Sequence, residues 1–413
     1  MRSVNAAGLG IGDGYPPRIM GVLNVSSESP YGPSVFSDPG AAAAYVDDDL
    51  VAEGADVVDI GLESAHRRFE VLSAEAELDR LDAAVEVLES VSREPVFSIE
   101  TRYHEVAKAA LDRGFDMVND ICGFADPEMP RVCAEYDAAV VKMASPPDLT
   151  RPGAVESVDE IYAALARDPL TEKTIVDPAF GGWSDGKTTA VDRETFERLG
   201  EFRGIGHPIL VSINRKDFLR EIAGRSTEKA LSVSLAATSM AVSRGAHVIR
   251  THDVAETRDA ALVGATFASG RVADDSDIEV TVEELDVRTS REVGHRLDRT
   301  DVDASEGETV TRVFEVRGLE PDDRGALTGV TAANGAVFAS GAEPGPSGPS
   351  KSEFGAGESG RRRNGGDGTR DERKRTLLIG SVATLRRVAV AIDERDASDG
   401  LVTVGEALRT ALD

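Results

Sequence analysis

Polar side chains recur in this chain at one kind of place, the end of a short apolar run. Asn24 ends the first run, Asp59 and Glu63 the second, Glu100 the third, and Asn119 with Asp120 the fourth. Asp177 ends the sixth, Asn214, Arg215 and Lys216 the seventh, and Arg250, His252 and Asp253 the eighth. One such residue alone is an ordinary turn former or helix cap. Eight run ends brought to one place would be a site. Their charges sort by position, with carboxylates and amides after runs three, four and six and cations after runs seven and eight. Lys216, Arg250 and His252 offer donors suited to phosphate or pyrophosphate oxygens. Asp177 can accept two parallel N–H bonds from an aminopyrimidine-type edge, with Asn119 donating and accepting beside it. The pattern predicts a two-ended ligand, a flat nitrogenous ring carrying phosphate.

The runs that must position these groups read as strands over Arg18–Val25, Ala55–Gly61, Val96–Thr101, Phe115–Ile121, Ala138–Met143, Lys173–Asp177, Pro208–Ile213 and Ala246–Arg250. Stretches with helical spacing alternate with them: Ala41–Glu53, Ala74–Ser92, His104–Arg113, Pro127–Tyr136, Ser157–Arg167, Arg193–Arg203, Lys216–Arg244 and Glu256–Ser269. Eight strand–helix units are the count of a closed (β/α)8 TIM barrel, an α/β fold that brings every strand's C-terminal end to one mouth and commonly binds phosphate after strands seven and eight. A doubly wound open sheet, the alternative, would scatter those ends.

After Gly270 the rhythm breaks. Residues 1–275 are expected to form the barrel and 276–413 a small C-terminal α+β appendage. Ile278–Leu285 and Thr309–Val316 alternate like half-exposed strands; Thr376–Gly380 is an apolar run, and Ala383–Ile392 and Val404–Leu412 have helical spacing. The Gly-, Pro- and Ser-rich stretch Ala342–Arg370 is too poor in apolar surface to order itself and reads as a disordered linker.

The net charge of −28, spread along the chain, disfavours nucleic acid and anionic membrane as partners and fits the acidic surface of a salt-adapted, halophilic protein. Cys122 and Cys133 give neither a disulfide framework nor a zinc spacing. No signal-peptide core and no bilayer-length apolar run is present, so a cytoplasmic location is expected. Gly181-Gly182-Trp183-Ser184-Asp185-Gly186-Lys187-Thr188 has P-loop spacing, but Trp and Asp suit a phosphate cradle poorly, and a loop at the barrel mouth is the expectation, with Lys187 lining the site or solvated. Asn24 is a neutral oxygen ligand that could hold Mg²⁺ only with help from a bound pyrophosphate.

The same residues resemble the dihydropteroate synthase family, in an archaeal-type branch, over about Arg18 to Ser269. The resemblance is carried by Ile19-Met20-Gly21-Val22-Leu23-Asn24-Val25, Asp59-Ile60-Gly61 with Glu63-Ser64, Ser98-Ile99-Glu100-Thr101, Val118-Asn119-Asp120-Ile121, Asp177-Pro178, Arg215-Lys216 and Arg250-Thr251-His252-Asp253-Val254. It implies a transferase of folate biosynthesis that condenses dihydropterin pyrophosphate with 4-aminobenzoate, or a derivative of it, using Mg²⁺. By position Glu100, Asn119, Asp177 and Lys216 would hold the pterin, and Asn24, Arg250 and His252 the pyrophosphate and metal, with Lys216, Arg250 and His252 as the catalytic set. A homodimer is implied as well. Three departures stand out. Glu100 replaces the family's Asp. The second loop reads Glu63-Ser64-Ala65-His66-Arg67 where the family has Glu-Ser-Thr-Arg-Pro, so Ser64, Ala65, His66 and Arg67 form the second-substrate loop. The first loop is rewritten over residues 26–33. A pterin-barrel methyltransferase serving a corrinoid protein, which needs no pyrophosphate site, and a non-catalytic pterin-binding barrel are the alternatives.

Overall fold

The structure is a computed structural model that describes residues 3–412 apart from 27, 30–31, 66–67, 269–271, 276–279, 284–288, 298–307, 309, 317–318, 341–375 and 395–396. Eight parallel strands form one sheet: β3 (Arg18–Asn24), β4 (Val57–Gly61), β5 (Val96–Thr101), β6 (Met117–Asp120), β7 (Ala139–Met143), β8 (Thr174–Asp177), β9 (Leu210–Val211) and β10 (Val248–Thr251). Their order runs β8-β7-β6-β5-β4-β3-β10-β9. The open edges meet where Val176 bridges in parallel to Ile209 and its N–H donates to the Pro208 carbonyl at 2.9 Å, which closes the barrel. Helices α1 (Pro39–Tyr45), α2 (Ala74–Ser90), α3 (His104–Leu111), α4 (Met129–Glu135), α5 (Val158–Ala166), α6 (Thr189–Glu197), α7 (Asp217–Ala223), α8 (Leu231–Ser243) and α9 (Val254–Phe267) lie between the strands in sequence. The long helical stretch predicted over 216–244 is two helices, interrupted at Gly224, and α1 runs into a π-helical turn over Val46–Val51.

Strand periodicity divides the core. Ile19, Val58, Ile60, Phe97, Ile99, Val118, Val140 and Val176 belong to the apolar cluster shared with the helices, whereas Met20, Val57, Val96, Met117, Ala139, Val141, Ile175, Leu210 and Val248 form a second cluster inside the barrel. Closing that inner cluster is an N-terminal hairpin, β1 (Val4–Ala6) and β2 (Leu9–Ile11), whose Val4, Ala6 and Ile11 pack into it. Sequence patterning does not show this element, because two three-residue strands in a Gly-rich segment carry no period.

The chain divides into compact units after Asp286, past the 275/276 boundary read from the sequence, because β11 (Val272–Asp275) pairs antiparallel with β12 (Val280–Glu283) across it. The second unit holds helix α10 (Ser290–Leu297) and a three-stranded antiparallel sheet in which β15 (Thr376–Ser381) lies between β13 (Thr311–Val316) and β14 (Val337–Ser340). Leu327 and Val330 of α11 (Pro321–Ala333), Leu385 and Val388 of α12 (Val382–Asp393), and Leu401 and Leu408 of α13 (Asp399–Leu412) join Leu378 in its core. This is the α+β character expected; the linker predicted over 342–370 lies outside the described residues.

If the hairpin seals the barrel floor, Ile11→Ala should cost about 2–5 kcal/mol, as for other fully buried aliphatic truncations, read from urea denaturation midpoints. A loss below about 1 kcal/mol would show that the hairpin is a dispensable flap.

Candidate active site

The inward row of each strand changes character on the way up. Val57 is followed two residues on by Asp59 and then Gly61; Val96 by Ser98 and Glu100; Met117 by Asn119; Ile175 by Asp177; Val248 by Arg250. Period-two geometry keeps each series on one face. The barrel therefore has an apolar floor and a polar upper interior, built from one row per strand.

Asp59, fully buried, is the hub. Its Oδ1 accepts from Ser98 Oγ at 2.7 Å, and its Oδ2 accepts from Asn119 Nδ2 at 2.9 Å and from Arg250 Nε at 2.7 Å. Arg250 Nη2 donates to Glu100 Oε2 at 2.7 Å. Two guanidinium nitrogens are thereby spent on carboxylates, leaving Nη1 for a ligand. Burial, with Asp59 nearby, holds the Glu100 carboxyl above its usual range even against Arg250. Burial likewise pushes Asp177 up to about 6, opposed by the Ala179 N–H (2.8 Å to Oδ1) and by the charges of Lys216 and Arg250.

Lys216 caps the start of α7, and its ammonium is lowered by burial and by Arg250. It reaches over the β8 loop: Nζ stands 5.7 Å from the Trp183 ring centre and 3.2 Å from where a Cβ on Gly181 would lie. Gly181 (φ +129°) is thus needed both for its backbone conformation and for room beside the ammonium. Asp192 fixes that loop by accepting from Gly181 N at 3.0 Å. Lys187 is buried, not solvated, with Nζ 3.7 Å from Asp192 Oδ1, and burial pulls it down to about 8. Thr188 caps α6 through Val191 N, and Ser184 bonds Glu156 at 2.7 Å. The P-loop-like segment therefore spends its lysine and threonine on internal contacts.

His252 is held down to about 3 by burial and by Arg250, so it serves as a neutral imidazole and not as a third cation. Arg215 is tied bidentately to Asp253, at 2.8 Å on both oxygens, and shapes the rim. Asn24 donates from Nδ2 to Ser34 Oγ at 3.0 Å; its Oδ1 lies 2.9 Å from the position of a Cβ on Gly61, so the glycine leaves that oxygen room. Beyond Trp183 opens a cavity of about 220 Å³, lined in part by Ser64, Ala65 and Arg102. His66 and Arg67 of the second-substrate loop lie outside the described residues.

Asn119, Glu100 and Arg250 are thus linked through shared bonds, and Asp177 and Lys216 are close enough to shift one another. The expected division into an anionic ring end and a cationic phosphate end is less sharp than the sequence implies, because Arg250 sits on two carboxylates. Ser98 is not among the polar run ends read from the sequence, and Asp59 is read there without a ligand role. Asp59 is visible there as a polar strand end, but its partner Arg250 lies 191 residues away. Removing one member of a buried ion pair leaves the other charge uncompensated and costs about 3–5 kcal/mol; Asp59→Ala is expected to lose stability on that order in chemical denaturation, and a wild-type midpoint would remove Asp59 from the centre of the site.

A sequence profile described as pterin binding enzyme matches residues 20–252, more than half of the chain. A probable bifunctional folylpolyglutamate synthase/dihydropteroate synthase of Halobacterium salinarum is 34% identical over 63% of this chain and 33% of its own length, so this chain spans about a third of that relative. An inactive dihydropteroate synthase 2 of Mycobacterium tuberculosis is 33% identical over 58% of this chain and 79% of its own. The crystal structure of dihydropteroate synthase from Thermus thermophilus in complex with 4-aminobenzoate superposes with a TM-score of 0.53, at 30% identity, covering 64% of this chain and all of the other. With the barrel and its polar interior row in place, the chain belongs to the pterin binding enzyme family, among the dihydropteroate synthases.

Proposed function

We propose that the barrel condenses a dihydropterin pyrophosphate with an arylamine such as 4-aminobenzoate, giving dihydropteroate and pyrophosphate. The observation that supports this is a linked set inside the barrel: Asn119 and Arg250 share Asp59, and Asp177, Lys216 and Arg250 are close enough to shift one another. Asp177, ionised, accepts the paired N–H groups of the pterin's aminopyrimidine edge. Asn119 gives one amide N–H to Asp59, which leaves Oδ1 and the second N–H for the ring, and Glu100 and Lys216 complete the ring contacts. The methylene C–O bond breaks toward pyrophosphate, the amine nitrogen forms the new C–N bond, and that nitrogen gives up a proton to solvent or departing phosphate. Lys216 in a dry setting, Arg250 Nη1 and neutral His252 stabilise the negative charge that develops on the leaving oxygen.

Asn24 fits Mg²⁺ in a limited sense: its Oδ1 is a hard neutral oxygen with room above Gly61, and such a site depends on substrate phosphates and water for the remaining ligands. When bound, Mg²⁺ would neutralise phosphate charge. Asn24 and His252 would hold the pyrophosphate in register.

A homodimer is supported by α8, thirteen residues without a charge, and by exposed Met240, Leu262, Val263 and Phe267 on α8 and α9. Among the described residues no helix is long and apolar enough to cross a membrane. A cytoplasmic setting fits Cys122 and Cys133, both buried, with burial pushing Cys133 up to about 12. The net charge of −28 and the Halobacterium relative support a salt-adapted acidic surface. The name of the mycobacterial relative favours a second reading, a barrel that binds pterin without turnover.

The assay is direct: purified chain in high salt with dihydropterin pyrophosphate, Mg²⁺ and 4-aminobenzoate, following dihydropteroate and pyrophosphate. Lys216→Ala and Arg250→Ala are each expected to lower kcat/KM by about 10²-fold or more. Pterin binding with no product at any salt would favour the second reading. The raised Asp177 also predicts a pH effect. The carboxylate that accepts the ring's N–H groups forms only above about pH 6, so pterin affinity should fall as pH drops through that value. Asp177→Asn should flatten the profile; an unchanged profile in that variant would detach the titration from Asp177.

A further inference from the structure

Arg102, in the turn after β5, is only 1% exposed, and the chemistry proposed above makes no use of it. Its guanidinium joins loops that follow three different strands. Nη2 pairs with Glu63 of the loop after β4, itself 5% exposed, and Nη1 donates to the Leu149 carbonyl after β7 at 2.6 Å. Beside it, Tyr103 Oη donates to the Leu72 carbonyl at 2.6 Å, and Leu72 N donates to the second Glu63 oxygen at 2.9 Å. The loop after β4 is thus held at Glu63 and again at Leu72, just before the Ser73 cap of α2, and these two points are bonded to each other. The turn that holds them is fixed in its own right: Thr101 Oγ1 donates to Glu77 of α2 at 2.5 Å and accepts from Tyr103 N at 3.2 Å.

That loop depends on support from outside. From Glu63 to Leu72 it has no proline, the residue that would restrict its backbone. Three consecutive residues are each held by a different neighbour instead. Arg80 Nη1 donates to the Leu62 carbonyl at 2.8 Å, Arg102 takes Glu63, and the Glu28 carboxylate accepts from Ser64 N. Arg80 also pairs with Glu28 at 2.5 Å, but both side chains are part-exposed, where salt screens them. Arg102 and Glu63 are shielded from salt by burial, so the hold rests chiefly on them.

We infer that Arg102 and Tyr103 are positioning residues for the condensation: acting through Glu63, Leu72 and Leu149, they set the course of the loop after β4 and so where Ser64 and Ala65 stand at the barrel mouth. They act on the reaction through that loop and not by contact with the reacting atoms. The inference rests on the synthase function proposed above, and it assigns control of the loop to the turn of a neighbouring strand.

The experiment uses the full chain with Tyr103→Phe and Arg102→Lys. It reads KM for 4-aminobenzoate and for the pterin separately from kcat, together with hydrogen exchange at the Ser64 and Leu72 amides. Tyr103→Phe deletes one hydroxyl and leaves the buried ion pair intact, so it keeps the test open even where a change at Arg102 unfolds the chain. Arg102→Lys keeps the charge and loses the two-pronged fork. Each variant should raise KM for 4-aminobenzoate by about 3- to 10-fold, the worth of one hydrogen bond, with KM for the pterin near wild type. Exchange at Ser64 and Leu72 should quicken by about 10-fold while the β5 and β7 amides keep their protection. An unchanged KM for 4-aminobenzoate in both variants would overturn the inference. So would a joint rise in both KM values with protection lost across the barrel, which marks a merely structural role. If no amine turns over, the synthase function fails, and exchange judges the positioning alone. Faster exchange confined to Ser64 and Leu72 supports it; wild-type exchange in both variants overturns it.

Discussion

An arginine inside the barrel, held by two carboxylates, is the interaction on which the rest of the site depends. Arg250 enters from β10 and meets Asp59 of β4 and Glu100 of β5 at 2.7 Å each. Charge buried in this way is tolerable only when paired with good geometry. The Asp59 oxygen that receives Arg250 also receives Asn119, so one ion pair orients an amide on a third strand. Four strands are thereby locked by side chains as well as by backbone ladders, counting Ser98 and Glu100 on β5. The cost is that Arg250 keeps one free nitrogen. The balance is restored by Lys216, whose buried ammonium faces Asp177 and Asp192 without a short ion pair to either.

The eight strand–helix units were legible because an interior strand that is buried on both faces reads as an apolar run, and because each run ends where the barrel opens. Val96-Phe97-Ser98-Ile99-Glu100 shows both faces at once: Phe97 and Ile99 point to the helices, Val96, Ser98 and Glu100 inward. The identities of Asp177, Asn119, Lys216 and Arg250 as polar strand ends could be read in the same way. Pairing could not. Arg250 to Asp59 and Asn119 to Asp59 are contacts across 191 and 60 residues, and no local spacing encodes them. Nor does a histidine's charge follow from its type: His252 is neutral because it is buried next to Arg250. Lys187 illustrates the converse. Within its motif it resembles a phosphate ligand, yet it is buried against Asp192, a residue of the following helix.

The acidic exterior and the ion-paired interior answer different demands. Surface carboxylates interact with water and salt, where charges are screened within about 10 Å at 0.1 M ionic strength. Arg250 and Lys216 work in a dry interior, where each charge reaches further. In a chain of net charge −28 the interior cations therefore act locally, on the groups beside them.

The most direct measurement is a crystal structure with a non-hydrolysable dihydropterin pyrophosphate analogue bound. The expected density places the pterin ring between Asp177 and Asn119 with its phosphates toward Lys216, His252 and Arg250 Nη1, the Arg250–Asp59 pair unbroken. A ring bound elsewhere, or an Arg250 that abandons Asp59 to reach the ligand, would contradict the account.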